Sequence, residues 1–249
     1  MNAINYVAFS GGIDSTALAL AMPEAIPVFS DTGWEFDELY RHIERFEQVT
    51  GRRVEKVRSQ HGTLPNYIRT SKYLPGHRAR FCTRMFKIEP MNNWLASHLP
   101  ATLCIGLRAD EPADMRIGNL SEIEGLSIDY PYRRWGWTRR DCILKCLEYN
   151  LLPRYPVYMA RGGCKGCFYK RYAEVKAMAQ LVPDILDELG ELETEVQDER
   201  NSMAIMFPNA GRTIAEIQAQ PALFDLSEVY KAAGDNSDKE EACGLFCHR

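Results

Sequence analysis

The chain opens with Ile4–Phe9, an apolar run of the kind that forms a buried parallel strand, and Ser15–Ala21 then has the apolar content of a helix. A second apolar run, Ala25–Phe29, ends at Ser30-Asp31-Thr32-Gly33. From Glu35 to Thr50, Phe36, Leu39, Tyr40, Ile43 and Phe46 recur at helical spacing, and Gly51 is placed as a C-terminal stop. Val54–Val57 predicts a short third strand, Phe86–Leu99 a helix with Met91, Trp94 and Leu95 on one side, and Thr102–Leu107 a fourth strand. Strand and helix in alternation imply an α/β fold, an open parallel sheet flanked by helices. Ligands of such sheets sit beyond the carboxyl ends of the strands, where Ser10, Asp31 and Arg108 fall.

From Pro131 the pattern becomes helical. Thr138–Tyr149, Tyr172–Leu181, Asp184–Arg200 and Thr213–Gln218 predict helices, Pro153 and Pro156 break the chain, and Gly162–Cys167 forms a tight loop. Gly234–Glu241 is a polar stretch expected to be flexible, ahead of Cys243 and Cys247. The division expected is a nucleotide-binding domain over 1–130 and a helical, cysteine-bearing region with a flexible tail over 131–249.

A chain of 249 residues, 45% hydrophobic and 26% charged, has ample material for a globular core. Its apolar runs are cut by Pro23, Pro27 or a charge well short of a membrane span, and no basic leader precedes them, so a cytoplasmic enzyme with no membrane association is expected. The net charge of −4 does not announce a nucleic-acid binder. The basic residues are nevertheless grouped. His77–Lys87 holds Arg78, Arg80, Arg84 and Lys87 without an acid, and Arg133–Arg140 and Arg161–Arg171 are similarly rich. On one face they suit phosphate esters or a nucleic-acid backbone; scattered, they are ordinary solvated charge.

The sharpest chemistry lies in Ser10-Gly11-Gly12-Ile13-Asp14-Ser15, between the first strand and its helix. Gly11 and Gly12 let the backbone turn and approach an anion with no Cβ in the way, the helix N–H groups face that anion, and Ser10 and Ser15 add hydroxyls. No Gly-Lys-Ser/Thr closes the loop, which separates it from a Walker P-loop, and G-x-G-x-x-G spacing is absent. The competing reading is a plain glycine turn with a capping serine.

The chain has eight cysteines. Cys164-Lys165-Gly166-Cys167 has the spacing by which two thiolates grip a metal or cluster, Cys82 lies among basic residues, and Cys243 and Cys247 add a C-x-x-x-C. Cys142 and Cys146, four apart on a helix, read as core, and so does Cys104 within a strand. The histidines show no paired spacing.

Several segments together resemble one family, the phosphoadenylylsulfate (PAPS) reductase-like branch of the adenine nucleotide α-hydrolases, the PP-loop ATP pyrophosphatases. Beyond the loop, the resemblance is carried by Asp31-Thr32-Gly33-Trp34-Glu35-Phe36, by Arg80-Phe81-Cys82-Thr83 with Lys87-Ile88-Glu89-Pro90, by Gly106-Leu107-Arg108-Ala109-Asp110-Glu111 with Arg116, and by Cys243-Gly244-Leu245. It implies a PP-loop fold in which Ser10, Gly11, Gly12, Asp14 and Ser15 hold the β,γ-pyrophosphate of ATP with Mg²⁺. Asp31, Thr32, Gly106 and Arg108 would line the rest of the nucleotide site. Many relatives carry lysine where this chain has Ile13, and Arg108 or an arginine of segment 78–84 is the candidate to replace its charge.

Iron–sulfur adenylylsulfate reductases have a Cys-Cys pair followed at a distance by C-x-x-C, which implies Cys82, Cys164 and Cys167 as ligands of a [4Fe–4S] cluster, with zinc as the alternative. Phe81 stands where the pair's first cysteine would be. Cys243 is taken as the fourth ligand and Cys247 as the reacting thiol, with the reverse assignment and an open iron site also possible.

Sulfonucleotide reductases have degenerate PP-loops, whereas this chain keeps the full one. The resemblance therefore implies an enzyme similar to DNA phosphorothioation and tRNA thiolation proteins, adenylating through Asp14 a nucleotide or nucleic acid for sulfur transfer, with a sulfur- or electron-donor protein as partner. The alternatives are a sulfonucleotide reductase acting through Cys243, a relative of sulfate adenylyltransferase, and a non-catalytic nucleotide-binding module with a structural zinc site. The sequence does not give the oligomeric state.

Overall fold

A computed structural model of the protein describes residues 3–112, 123–159, 163–200 and 202–220. Among them five parallel strands form one sheet in the order β3-β2-β1-β4-β5, with β1 Ile4–Ala8, β2 Ile26–Asp31, β3 Glu55–Arg58, β4 Ala101–Cys104 and β5 Leu126–Asp129. The order places the first strand centrally, with crossovers to both sides. That arrangement opens a crevice at the carboxyl ends of β1 and β4, where the chain direction switches.

The central strands are buried on both faces toward their carboxyl ends, so their side chains divide with period two between two cores. Tyr6, Val28 and Leu103 go to one side with Met91 and Leu95; Val7, Phe29 and Cys104 go to the other with the larger cluster. On that larger side lie α1 (Ile13–Ala21) and α2 (Asp37–Thr50). Helix α2 buries Leu39, His42, Ile43 and Phe46, an i, i+3, i+4, i+7 stripe. It ends at Gly51, whose φ of 67° permits the left-handed cap that returns its N–H to Glu47 O. The same core continues through α6 (Pro131–Trp135), α7 (Arg139–Glu148), α8 (Tyr172–Leu181), α9 (Pro183–Arg200) and α10 (Ile214–Gln218).

Three features differ from the sequence expectation. Leu64–Ser71 is a helix, α3, and β5 extends the sheet beyond its expected fourth strand. The helix expected over Phe86–Leu99 begins earlier, as α4 (Phe81–Thr83), passes through a wide π turn at Arg84–Ile88, and continues as α5 (Glu89–Ala96). Pro90 has no N–H to give to the preceding turn, and the widened turn ahead of it takes up the mismatch. Among the described residues no helix is long and apolar enough to cross a membrane.

Candidate nucleotide site

The loop after β1 is built as an anion cradle. Phe9 N still donates to Val28 O at 2.9 Å, so sheet pairing runs to the edge of the loop. Gly11 then adopts φ +75°, and a Cβ there would lie 2.4 Å from Leu39 Cδ1, so only glycine fits. The Tyr155 hydroxyl donates to Gly11 O at 2.8 Å. Ser15 Oγ donates to Gly12 O and accepts from Ser10 N, both at 3.1 Å. Ser15 is therefore the clasp of the loop, and the hydroxyl of the exposed Ser10 lies within hydrogen-bond distance of Ser15 Oγ at 3.1 Å. Thr16 N returns to Gly12 O at 2.9 Å, and among the described residues the N–H groups of Gly11 to Ser15 have no acceptor. They are the orphan donors of the start of α1, where the helix dipole adds partial positive charge.

Behind the cradle stands a charge cluster. Arg108 NH1 meets Asp14 Oδ2 at 2.6 Å, its Nε meets Asp110 Oδ1 at 3.0 Å, and its NH2 meets Glu111 Oε1 at 3.1 Å. Arg108 is only 8% exposed. Burial works against its charge, but the Asp14 and Glu111 carboxylates outweigh that and hold the guanidinium above its ordinary range. In the structure Arg108, the expected substitute for the missing lysine, is paired with three carboxylates. The other Asp14 oxygen, Oδ1, is buried with no hydrogen-bond partner among the described residues. That leaves one unpaired carboxylate oxygen beside the cradle, a single ligand of the kind a divalent cation takes together with phosphate oxygens. Gly106 approaches so closely that a Cβ would meet Asp14 O at 3.3 Å, and the buried Tyr132 hydroxyl donates to the same carbonyl at 2.7 Å.

At the end of β2, Asp31 and Thr32 are buried and fully occupied. Asp31 Oδ1 accepts from Gly33 N at 2.9 Å and the Tyr40 hydroxyl at 2.7 Å, and Oδ2 accepts from Arg58 Nε and NH2 at 2.9 and 2.7 Å. Burial pushes the Asp31 carboxyl up, but the bonds from Tyr40 and Arg58 prevail and hold it below the usual range. Thr32 Oγ1 donates to Glu35 Oε1 at 2.7 Å, and Thr32 O accepts from Leu64 N at 2.8 Å. Burial raises Glu35, with Thr32 and Lys87 opposing. These side chains fix the turn and leave its surface to a ligand, rather than reaching out themselves.

The C-x-x-C loop docks on this turn. Cys164 pairs with Glu35 in an antiparallel bridge, Lys165 N donates to Trp34 O at 2.8 Å, and the Trp34 ring lies so close to Gly166 that a Cβ would come within 2.1 Å of it. Cys164 is buried, and Cys82 and Cys167 are half-buried. Among the described residues no three His, Cys, Asp or Glu side chains form a group able to hold a metal ion, so Cys82, Cys164 and Cys167 do not present an assembled ligand set. The fourth ligand expected of a [4Fe–4S] or zinc site, Cys243, is not among those residues. Cys243 and Cys247, like Arg116, lie outside the described residues. Cys142 and Cys146 are core as expected, each thiol pushed up to about 12 by burial and then by the Asp14 charge; Cys104 is held at about 11, again by burial first.

Residues 4–124, which span the cradle, the Asp31 turn and the Arg108 cluster, match the profile of the phosphoadenosine phosphosulfate reductase domain. That stretch is similar to the family's domain over a little under half of the chain. An uncharacterized protein of Methanocaldococcus jannaschii is 30% identical over 95 residues, which is 36% of this chain and 19% of that one. The chain thus corresponds to about a fifth of that relative's length. The crystal structure of a PAPS reductase from Candida auris, in a phosphate complex, aligns at 14% identity with a TM-score of 0.48, covering 61% of this chain and 75% of the other.

Sequence reasoning missed Tyr40, Arg58, Tyr132 and Tyr155 around this site. The signal for Arg58 was present, since it closes β3 as Asp31 closes β2 and the two are register partners. Tyr132 and Tyr155 lie far along the chain, and only the packing of α6 and the 150–155 segment against the loop reveals them.

Proposed function

We propose that this protein is an ATP pyrophosphatase that adenylates an acceptor oxygen in preparation for sulfur transfer. The observation that carries the reading is the cradle: five N–H donors at Gly11 to Ser15 and the Asp14 Oδ1 beside them, all without a partner among the described residues, on a turn that requires glycine. The β,γ-phosphates of ATP would take the N–H donors and the Ser10 hydroxyl, and Asp14 would hold Mg²⁺, whose charge offsets both the carboxylate excess and the triphosphate. The pyrophosphate group is stabilised most as charge accumulates on it, which is where fixed N–H dipoles lower the barrier. The acceptor oxygen attacks Pα, the bond from Pα to the bridging oxygen breaks, and the electron pair leaves with pyrophosphate; the acceptor proton passes to solvent. The adenylated oxygen is then a good leaving group: hydrosulfide forms the new carbon– or phosphorus–sulfur bond as that oxygen departs with AMP.

The family name supports a second reading, a reductase in which a thiol attacks a sulfonucleotide. Assay for pyrophosphate from ATP and for sulfite from adenylylsulfate and its 3′-phosphorylated form separates the two. Adenylation predicts pyrophosphate without sulfite, and Asp14→Asn lowering the rate at least about 10²-fold, the scale of losing one electrostatic group at such a site. Sulfite release with no ATP cleavage would replace this reading by the reductase.

A further inference from the structure

A second cavity, of about 440 Å³, lies against the rear of the cradle between α2 and the 150–155 segment, and its wall is rich in guanidinium groups: Arg41, Arg45 and Arg154 against the single acid Glu38. We propose that this cavity is an anion subsite for a phosphate ester of the acceptor molecule, a free nucleotide or a nucleic-acid backbone. The proposal rests on the ATP reading for the identity of its ligand as acceptor.

The charges are disposed for an incoming anion. Glu38 is occupied, accepting from the Tyr158 hydroxyl at 2.8 Å and pairing with Arg41 at 3.2 Å. Arg45 is braced by one bond from NH2 to Asn150 O at 3.0 Å, which fixes its fork and leaves its other donors available. Arg154 has no partner among the described residues and is exposed at the cavity rim. Two guanidinium forks with open donors match the geometry of phosphate oxygens better than point charges would. His42 adds no charge of its own: it is buried, bonded through Nε2 to Thr16 Oγ1 at 3.0 Å, and held down at about 4 by burial and then by Arg45.

The cavity is joined to the phosphate loop. Tyr155 lines it and donates to Gly11 O, and His42 lines it and bonds Thr16 in the first turns of α1. A ligand seated there is separated from the loop backbone by the Tyr155 side chain, close enough for a second part of a larger acceptor to extend toward the loop.

The test uses the full chain with the phosphate loop filled by α,β-methylene-ATP, after the affinity of that analogue has been measured by calorimetry. Uridine monophosphate and a short single-stranded oligonucleotide are then titrated separately. Binding of either by the wild type is expected, and the arm that binds identifies the source of the ester. Arg154→Gln is expected to weaken that probe about tenfold, Arg154→Lys to recover most of the loss, and both to bind the ATP analogue as the wild type does; with the oligonucleotide the salt slope also falls by about one per arginine removed. Arg45→Gln is a second probe of the site, and should it unfold, Arg154→Gln, which breaks no contact, decides alone. Equal affinity for the probe in Arg154→Gln and wild type, or no binding of either probe by the wild type, overturns the proposal. A wild type that binds a probe but not the ATP analogue removes the adenylation reading while the anion site stands; the reverse result removes the site and leaves adenylation.

Discussion

At Gly11 backbone and side-chain requirements coincide: positive φ, a carbonyl held by Tyr155, and no room for a methyl group beside Leu39. Gly11→Ala must strain the turn or push α2 away, at a cost of about 1–3 kcal/mol, and thermal unfolding together with ATP affinity checks whether both fall. Arg108 is the electrostatic counterpart. Removing it as Arg108→Ala leaves Asp14 and Glu111 buried without their cation, and a loss of about 3–5 kcal/mol is expected in denaturant unfolding. Arg108→Lys, which cannot reach three carboxylates at once, recovers only part. The cysteines divide by burial. Cys104, Cys142 and Cys146 are at most 1% exposed with thiols raised by burial, so iodoacetamide at pH 8 is expected to modify Cys82 and Cys167 in the native protein and to spare those three until it is unfolded. Mass spectrometry of the labelled peptides reads the result directly.

Among the elements, the strand ends carry the most consequence, and they were also the most legible. The run before Ser10 and the run before Asp31 are apolar on both faces, and a period-two pattern with Gly beyond it leaves little choice but a buried parallel strand. Helix α2 was equally plain, its apolar stripe closing at a glycine. Strand β5 was hidden because Leu126–Asp129 is short and only partly buried, with an acid at its end, so it looks like loop until β4 is seen to need a neighbour. The π turn before Pro90 has no period of its own. The C-x-x-C was legible as a motif: spacing places two thiols on one turn, while a third ligand depends on how 80–84 and the C-terminal cysteines pack, which no local pattern encodes. In the structure the motif pairs with Glu35 and stacks Gly166 on Trp34. Gly166→Ala is therefore expected to displace the loop and shift Trp34 fluorescence toward that of a solvated indole; an unchanged spectrum and melting temperature would contradict the docking.

For the whole molecule, the single sheet with helices on both faces holds two charge systems of opposite effect on acid stability. Asp31, held below the usual carboxylate range by Tyr40 and Arg58, stabilises the fold above the unfolded value near 3.9, and that contribution is lost as pH falls through the lower folded value. Glu35 and Glu193 are raised by burial, so the folded state binds protons that the unfolded chain releases, and stability declines as pH rises from their unfolded value near 4.3 through the folded one. Urea midpoints across the acid range should therefore pass through a maximum, and Asp31→Asn should remove its acid side. The larger core, running from Val7 to Ile217 without a break, couples the loop to segments far along the chain. That coupling is why Tyr132 and Tyr155 reach the cradle.

The central claim is that the Ser10–Ser15 turn grips the terminal phosphates of a nucleoside triphosphate. Calorimetric titration with Mg–ATP in the presence and absence of inorganic pyrophosphate tests it most directly. The account predicts that pyrophosphate competes with ATP, that AMP binds much more weakly, and that folded Asp14→Asn loses the competition along with the affinity. ATP binding that pyrophosphate does not displace, or that survives unchanged in Asp14→Asn, would contradict it.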